Sequence, residues 1–358
     1  MIDAKKLPKL RYCHMKFGCD PEFFFTRNGK VVGSERVIGE KGVKDYGCNL
    51  PKIIRDGVQV ELNPLPSFCR ANLGNEIKQC FVLLRNNMGD DVGASFASVI
   101  KVPAKEFREL SEDSKKFGCK PSFNVGGVSE ITVDPAVNRY RSAGGHIHIG
   151  SDHDPVLALK MPERLIPIMD IIVGNTCVLV DRDPKAKERR KNYGRAGEYR
   201  TPEYGIEYRT LSNFWLRSYQ LMSFVMGLAR VAVHIVETDI SNGNTMIEDA
   251  LYERVDTSKV SIAINNNNAR LAMKNFVAIE DVLLHVTKVH TDSYPITVKT
   301  IKYFKHFIKK PLEYWFPDDP IKHWCNIPEG HGTGWENFCV TKIDKDMKKD
   351  MEKVQVNA

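Results

Sequence analysis

No uninterrupted run of about 18 apolar residues occurs in this chain, the length a membrane-spanning helix requires. The nearest stretches, 165–180 and 221–236, are interrupted by Asp170 and Asn175 and by Arg230 and His234, so both are expected as buried helices of a soluble protein with no membrane partner. Residues 1–17 carry Lys5, Lys6, Lys9 and Arg11 among too few consecutive apolar residues for a signal-peptide core. None of the nine cysteines stands in a C-x-x-C pair, and with an odd count and no export signal, reduced, buried thiols in a cytoplasm are expected. Nucleotide loops of the common kinds are missing too. Gly39-Glu40-Lys41 lacks the earlier glycine and the following Ser/Thr of a Walker A loop, and no G-x-G-x-x-G follows a strand. Ser34 and Ser142 sit in no nucleophile elbow.

What remains is a well-filled globular composition. Of 358 residues 42% are apolar and 27% charged, which excludes disorder and fibrous repeats and leaves one large core or two domains. Fifty-two basic against 45 acidic side chains give a net charge of +7, which suits an anionic small substrate as readily as a nucleic acid. A basic, aromatic stretch at 302–310 has helical spacing, so an amphipathic helix is expected there rather than a base-stacking surface.

Along the chain, 17–25 reads as a strand with Pro21 near an edge or bulge, followed by an Asn28-Gly29 hairpin turn. Val58, Val60 and Leu62 alternate with Gln59, Glu61 and Asn63, a half-buried strand. Phe68, Ala71, Ile77, Phe81 and Leu84 mark a helical face, although Gly74 interrupts it. Further strands are expected at 95–102, 139–150 and 197–211, and helices at 155–180, broken at Pro162 and Pro167, and at 215–236. Between them lies a basic loop, 185–195. Loops at 241–244 and 265–268 separate helical segments beyond, and 342–353 reads as a solvated helix. The segment 17–23 is echoed at 117–123 with Lys120 and Ser122 in place of Asp20 and Glu22, so only the first copy can hold a cation.

Four pairs spaced i, i+2 place polar groups on one side of predicted strands: Asp20 with Glu22, Glu61 with Asn63, His146 with His148, and Glu207 with Arg209. An apolar core does not tolerate so many charges without a partner, so a metal or polar ligand is the economical explanation. Carboxylates with one or two histidines and no thiolate favour a hard cation, Mg²⁺ or Mn²⁺. Mg²⁺ usually serves a phosphate, and Arg209 with the basic cluster at 185–200 would complement one. A zinc hydrolase would need an Asp at 150 between His148 and Asp152-His153, where the chain has Gly150. A degenerate binding protein would not be expected to keep acids at all four carboxylate positions.

Taken in order, Gly18-Cys19-Asp20-Pro21-Glu22, Glu61-Leu62-Asn63, 143–150 (AGGHIHIG), Tyr199-Arg200 and 204–209 (YGIEYR) resemble the phage-type carboxylate–amine ligases of the glutamine synthetase and glutamate–cysteine ligase superfamily. The resemblance runs over 17–216. It implies an α+β fold, a curved antiparallel sheet backed by helices, with a catalytic domain at 1–240 and a mainly helical C-terminal region, 241–358, packed on it. It implies ATP and Mg²⁺ or Mn²⁺ as cofactors, and an acyl-phosphate route to an amide between a small or peptide carboxylate and an amine. Asp20, His146 and Glu207 would hold one metal; Glu22 and Glu61 would hold a second and serve catalysis. His148, Arg190, Arg195, Arg200 and Arg209 would face phosphate, Arg209 at the transferred group, and Asn63 would stand on the substrate side. A homo-oligomer is compatible with the resemblance, as is a host cytoplasm for a phage-encoded protein.

Overall fold

The structure, a computed structural model, describes residues 1–11, 13–39, 43–44, 51–116, 122–124, 127–129, 137–151, 155–287, 308 and 316–327. The second copy of the echo up to residue 121, Asp152-His153, most of 302–310 and all of 342–353 lie outside them. Fourteen strands appear among the described residues: β1 Lys16–Cys19, β2 Glu22–Arg27, β3 Lys30–Val32, β4 Val43–Lys44, β5 Pro51–Asp56, β6 Gln59–Leu62, β7 Val92–Ser95, β8 Val99–Lys101, β9 Ser122–Asn124, β10 Gly127–Ser129, β11 Tyr140–Ser142, β12 Ile147–Gly150, β13 Glu198–Arg200 and β14 Gly205–Tyr208.

They form two antiparallel six-stranded sheets and a small β11–β8 pair rather than the single sheet expected. One sheet runs β1-β12-β14-β13-β9-β10; the other runs β3-β2-β6-β5-β4, with β7 pairing on β2. The single strand expected at 17–25 is in fact two, one in each sheet. Pro21 has no N–H to offer a ladder, and at Asp20-Pro21 the chain leaves the first sheet and enters the second. The stretch 139–150 is divided in the same way between β11 and β12, at Gly144-Gly145. A Cβ on Gly145 would stand 2.5 Å from Ser212 O and 2.6 Å from Trp215 Nε1, so only glycine allows this approach. The Asn28-Gly29 turn joins β2 to β3 with φ of 51° and 71°, the paired positive angles of a type I′ hairpin.

Helices back both sheets. Arg70–Asn87 buries Leu73, Ile77, Cys80, Phe81 and Leu84, and its interrupting Gly74 lies where a Cβ would come within 2.5 Å of the Tyr219 ring. Ser218 caps Tyr219–Ser241 by accepting from Leu221 N–H. By length and composition this is the one helix among the described residues able to cross a membrane, and its apolar window is wholly buried in protein. Its polar residues find partners inside: Arg230 donates to Phe68 O, Glu237 accepts from Ala158 N–H, and Asp239 accepts from Ile247 and Glu248 N–H. Buried polar groups so satisfied need no solvent.

Three sequence expectations are corrected here. Pro162 does mark a break, between the 3₁₀ turn Leu157–Lys160 and the helix Pro162–Met169, but Pro167 lies inside that helix, which is followed by a π-turn, Asp170–Gly174. The basic loop is mostly a helix, Ala186–Asn192. The stretch 197–211 is a hairpin, β13 and β14, and not one strand. The helices Met246–Tyr252, Thr257–Asn265 and Ala269–Val286 contribute Ile247, Ile264, Phe276 and Leu283 to the same apolar core as Phe17, Ile147 and Trp215. The six described cysteines form no disulfide.

Candidate active site

Register across the first sheet builds the site. Gly18 pairs with His148, His148 with Glu207, and Glu207 with Arg200; directly paired residues share a face. Two residues along each strand, on that same face, stand Asp20, His146 and Arg209. The two rows converge. His146 Nδ1 is 2.9 Å from Asp20 Oδ1 and 3.4 Å from Glu207 Oε1, and His148 Nε2 is 3.3 Å from Asp20 Oδ2. Arg209, wholly buried, places Nη1 3.0 Å from Glu207 Oε1 and donates from Nη2 to Tyr193 Oη at 2.9 Å. Arg200 reaches Glu207 Oε2 at 3.5 Å from a more open position.

The second sheet supplies a second group. Glu22 pairs with Glu61 across β2 and β6, and Asp56, at the end of β5, completes a cluster in which one oxygen from each carboxylate lies within 4.8 Å of the others. Glu22 is pinned by its neighbours. Its Oε2 accepts from Gly144 N–H at 2.7 Å, its N–H donates to Gly144 O at 2.9 Å, and its carbonyl accepts from Asn213 Nδ2 at 2.8 Å.

Charge differs sharply between the groups. Burial alone would raise the Asp20 carboxyl, yet the two imidazoles hold it well below the ordinary carboxylate range. Burial lowers His146, whereas for His148 the attraction of Asp20 outweighs burial and raises it. In the all-carboxylate group every member moves up. Burial and then Asp56 push Glu22 far above its usual range, burial raises Asp56, and burial followed by Asp20, Glu22, Asp56 and Glu207 brings Glu61 to about 10. Positive charge placed beside carboxyls so crowded would bring them back toward their ordinary range.

Both groups suit divalent cations. Asp20 Oδ1, His146 Nδ1, His148 Nε2 and Glu207 Oε1 are buried without a hydrogen-bond partner, and one ligand atom from each of these four residues lies within 4.8 Å of the others. Their atoms are close in distance but not aligned as donors and acceptors, as expected of ligands aimed at one ion. Carboxylates alone in the second group suit a hard cation.

The structure thus brings together Asp20, His146, His148 and Glu207, and separately Glu22 and Glu61. It divides the Asp20/Glu22 pair, expected on one strand face, between the two groups, because the chain changes sheets at Pro21. Asn63 is exposed just beyond β6. Two arginines expected to face phosphate do not reach this face. Arg190 is buried with Nη1 on Asn267 Oδ1 and Nη2 3.9 Å from Asp181, and Arg195 is turned back on Arg190 O and Lys191 O. Asp56 was not among the sequence candidates, though a Gly57-Val58 turn before the alternating β6 pairs it with Gln59 and so sets it on the Glu61 side. Tyr193 and Tyr204 are each hydrogen-bonded to one of the histidines; Tyr193 carries no sequence signal, whereas Tyr204 opens the 204–209 motif without a role assigned to it, and chain reversals bring both in.

No curated protein matches the sequence. Among solved structures, a bifunctional glutathione synthetase from Pasteurella multocida aligns over 84% of this chain at 10% identity and a TM-score of 0.38. The alignment takes in 54% of that protein, so the chain spans about half its length. Residues 128–295 match the family model for phage phiEco32-like COOH·NH2 ligase, type 2. That stretch holds His146, His148, Tyr193, Arg200, Glu207 and Arg209, while Asp20, Glu22, Asp56 and Glu61 precede it. The match takes in just under half of the chain, and over 128–295 the chain is similar to that ligase family.

Proposed function

We propose that the protein is an ATP- and Mg²⁺-dependent ligase that joins the carboxylate of an amino acid or peptide to an amine through an acyl phosphate. The observation that carries this reading is the adjacency of two cation-ready groups of different character, with a wholly buried arginine beside one of them. A single metal would need only one group; two side by side, with Arg209 against Glu207, suit a polyphosphate on one side and a second substrate on the other.

In this reading a substrate carboxylate oxygen attacks the γ-phosphorus, the bond to the bridging oxygen breaks, and ADP leaves. The amine nitrogen then attacks the acyl carbon, phosphate departs and the nitrogen gives up a proton. Bound divalent cations supply charge neutralisation on the phosphates. The chain's own residues do the rest: Asp20, His146, His148 and Glu207 fix the nucleotide side, and Glu22, Asp56 and Glu61 the acid and amine side. Arg209, held rigid by Glu207 and Tyr193, presents fixed positive charge to the negative charge on the oxygens of the transferring phosphoryl group. Arg200 is the further phosphate contact on this face. A glutamine synthetase-like arrangement of the sheets, with 1–240 as catalytic unit and 241–358 as helical support, belongs to the same reading.

The test is release of ADP and phosphate from Mg·ATP by purified protein against pools of amino acids, peptides and amines, with Glu22→Gln and Arg209→Ala alongside. Turnover that requires both an acid and an amine, and that both substitutions abolish, is expected. Absence of both turnover and Mg·ATP binding by calorimetry would overturn the proposal.

A further inference from the structure

Each histidine of the first group meets the cation position with one ring nitrogen and a tyrosine hydroxyl with the other. His146 turns Nδ1 to Asp20 and Glu207 while Nε2 meets Tyr193 Oη. His148 does the reverse, with Nε2 toward Asp20 and Nδ1 2.6 Å from Tyr204 Oη. The two tyrosines come from unrelated places, Tyr193 from the turn after the helix Ala186–Asn192 and Tyr204 from the β13–β14 hairpin. Their packing differs as well. The Tyr193 ring meets His146 edge-on at 78°, whereas the Tyr204 ring stacks on His148 at 11°. Different ring contacts that end in the same hydroxyl-to-nitrogen bond point to the hydroxyl as the shared feature.

The chemistry of imidazole makes that hydroxyl consequential. A neutral ring has one N–H and one lone pair, and which nitrogen carries which is set by the partner of the other. For Nδ1 of His146 to offer a lone pair to a cation, its proton must sit on Nε2 and be accepted there. Tyr193 Oη, which already accepts from Arg209 Nη2, has a second lone pair for it. The alternative tautomer turns an N–H toward the carboxylates of Asp20 and Glu207 and blocks the ligand position.

We propose that Tyr193 and Tyr204 are positioning residues that select the metal-ready tautomers of His146 and His148, Tyr193 with the larger effect because its hydroxyl is also fixed by Arg209. This inference rests on the cation reading of the site above. Phenylalanine at either position keeps the ring and removes only the oxygen, leaving an imidazole N–H without its acceptor in the tautomer that metal binding needs. Loss of such an outer partner typically weakens metal affinity 10- to 100-fold.

The experiment measures Mn²⁺ binding to the full chain by electron paramagnetic resonance, from the loss of the free-ion signal, and by the nitrogen modulation of the bound ion's echo. Wild type, Tyr193→Phe, Tyr204→Phe and His146→Asn are compared, with thermal unfolding as a check on folding. Wild type should bind Mn²⁺ with imidazole nitrogen coupling. The Tyr193→Phe variant should bind at least 10-fold more weakly with that coupling reduced, and Tyr204→Phe less severely affected. Tyr204 is 45% exposed, so its variant tests the idea even where Tyr193→Phe does not fold. Wild-type binding with both phenylalanine variants unchanged in affinity and coupling overturns this inference alone. A wild type that binds no Mn²⁺ overturns the cation reading, and this inference with it.

Discussion

Glu22 and Gly144 exchange two hydrogen bonds: Gly144 N–H donates to the Glu22 side chain at 2.7 Å and Glu22 N–H donates to Gly144 O at 2.9 Å. The carboxylate thus answers to the same backbone that introduces His146 and His148, and the two cation-ready groups are built around a common joint. Divalent cations should therefore stabilise the whole molecule. Mg²⁺ or Mn²⁺ added to cation-stripped protein is expected to raise Tm, by an amount that grows with concentration as binding to the native state alone requires. Glu61→Gln, which removes the cost of holding this carboxyl protonated where the unfolded chain would ionise it, should raise the cation-free Tm near neutral pH and shrink the increment. A calorimetric scan with and without chelator checks both, and an increment unchanged in Glu61→Gln would remove that residue from the ligand set.

Arg209→Lys keeps the charge and loses the planar fork that reaches Glu207 and Tyr193 together. If Arg209 meets the transferring phosphoryl group, kcat should fall about 10²- to 10³-fold with KM for ATP much less changed. Equal losses through KM alone would make it a ground-state binding residue.

Arg189, which the sequence groups with other basic residues, is buried and donates to Ala143 O, Thr210 O and Leu211 O at 2.9–3.1 Å. It braces the segments that carry Gly144 and Arg209. Arg189→Met leaves three buried carbonyls without this donor and should cost about 3 kcal/mol or more in urea unfolding. A loss under about 1 kcal/mol would show that water replaces the guanidinium.

Gly145→Ala would drive a methyl group into Ser212 O and the Trp215 indole, neither of which can retreat without moving the backbone behind Glu22. Overpacking of this kind costs about 1–3 kcal/mol. Urea unfolding reads the loss, and a neutral result would mean that the 144–146 segment can shift freely.

Asp170 lies buried in the π-turn and accepts from Tyr208 Oη at 2.6 Å, and burial lifts its pKa from 3.8 to about 7. Because the folded state holds this proton where the unfolded chain releases it, stability falls as pH rises from about 3.8 to about 7. Relative to Asp170→Asn, which has no such proton to lose, wild-type unfolding free energy should decline across that window. Parallel curves would place Asp170 at its ordinary value.

Much of the site was legible because strands alternate. His146 with His148 and Glu207 with Arg209 do share a face, as the i, i+2 spacing predicts, and Asn28-Gly29 announces its hairpin. The misreadings have one physical source. Local pattern does not say where a strand ends and which sheet receives the next one, so 17–25 and 139–150 each read as a single element. Sheet membership depends on pairings far along the chain, such as Glu22 with Glu61 and His148 with Glu207. Arg189, Arg190 and Arg195 misled for a related reason: composition shows the charge but not whether a guanidinium ends on solvent, a carbonyl or an asparagine. Only the fold distinguishes an arginine that braces from one that binds.

The chain passes from one sheet to the other at Asp20-Pro21 and contributes a carboxylate on each side of the crossing. Two residues of extended backbone span at most about 7 Å. The interval between the two cation-ready groups is therefore tethered covalently at that point and does not depend on packing alone. Breathing of either sheet, or gradual replacement of core side chains over evolution, can alter the cup around the groups while this tether limits how far they separate. An insertion of one residue between 20 and 22 should harm function out of proportion to its effect on folding.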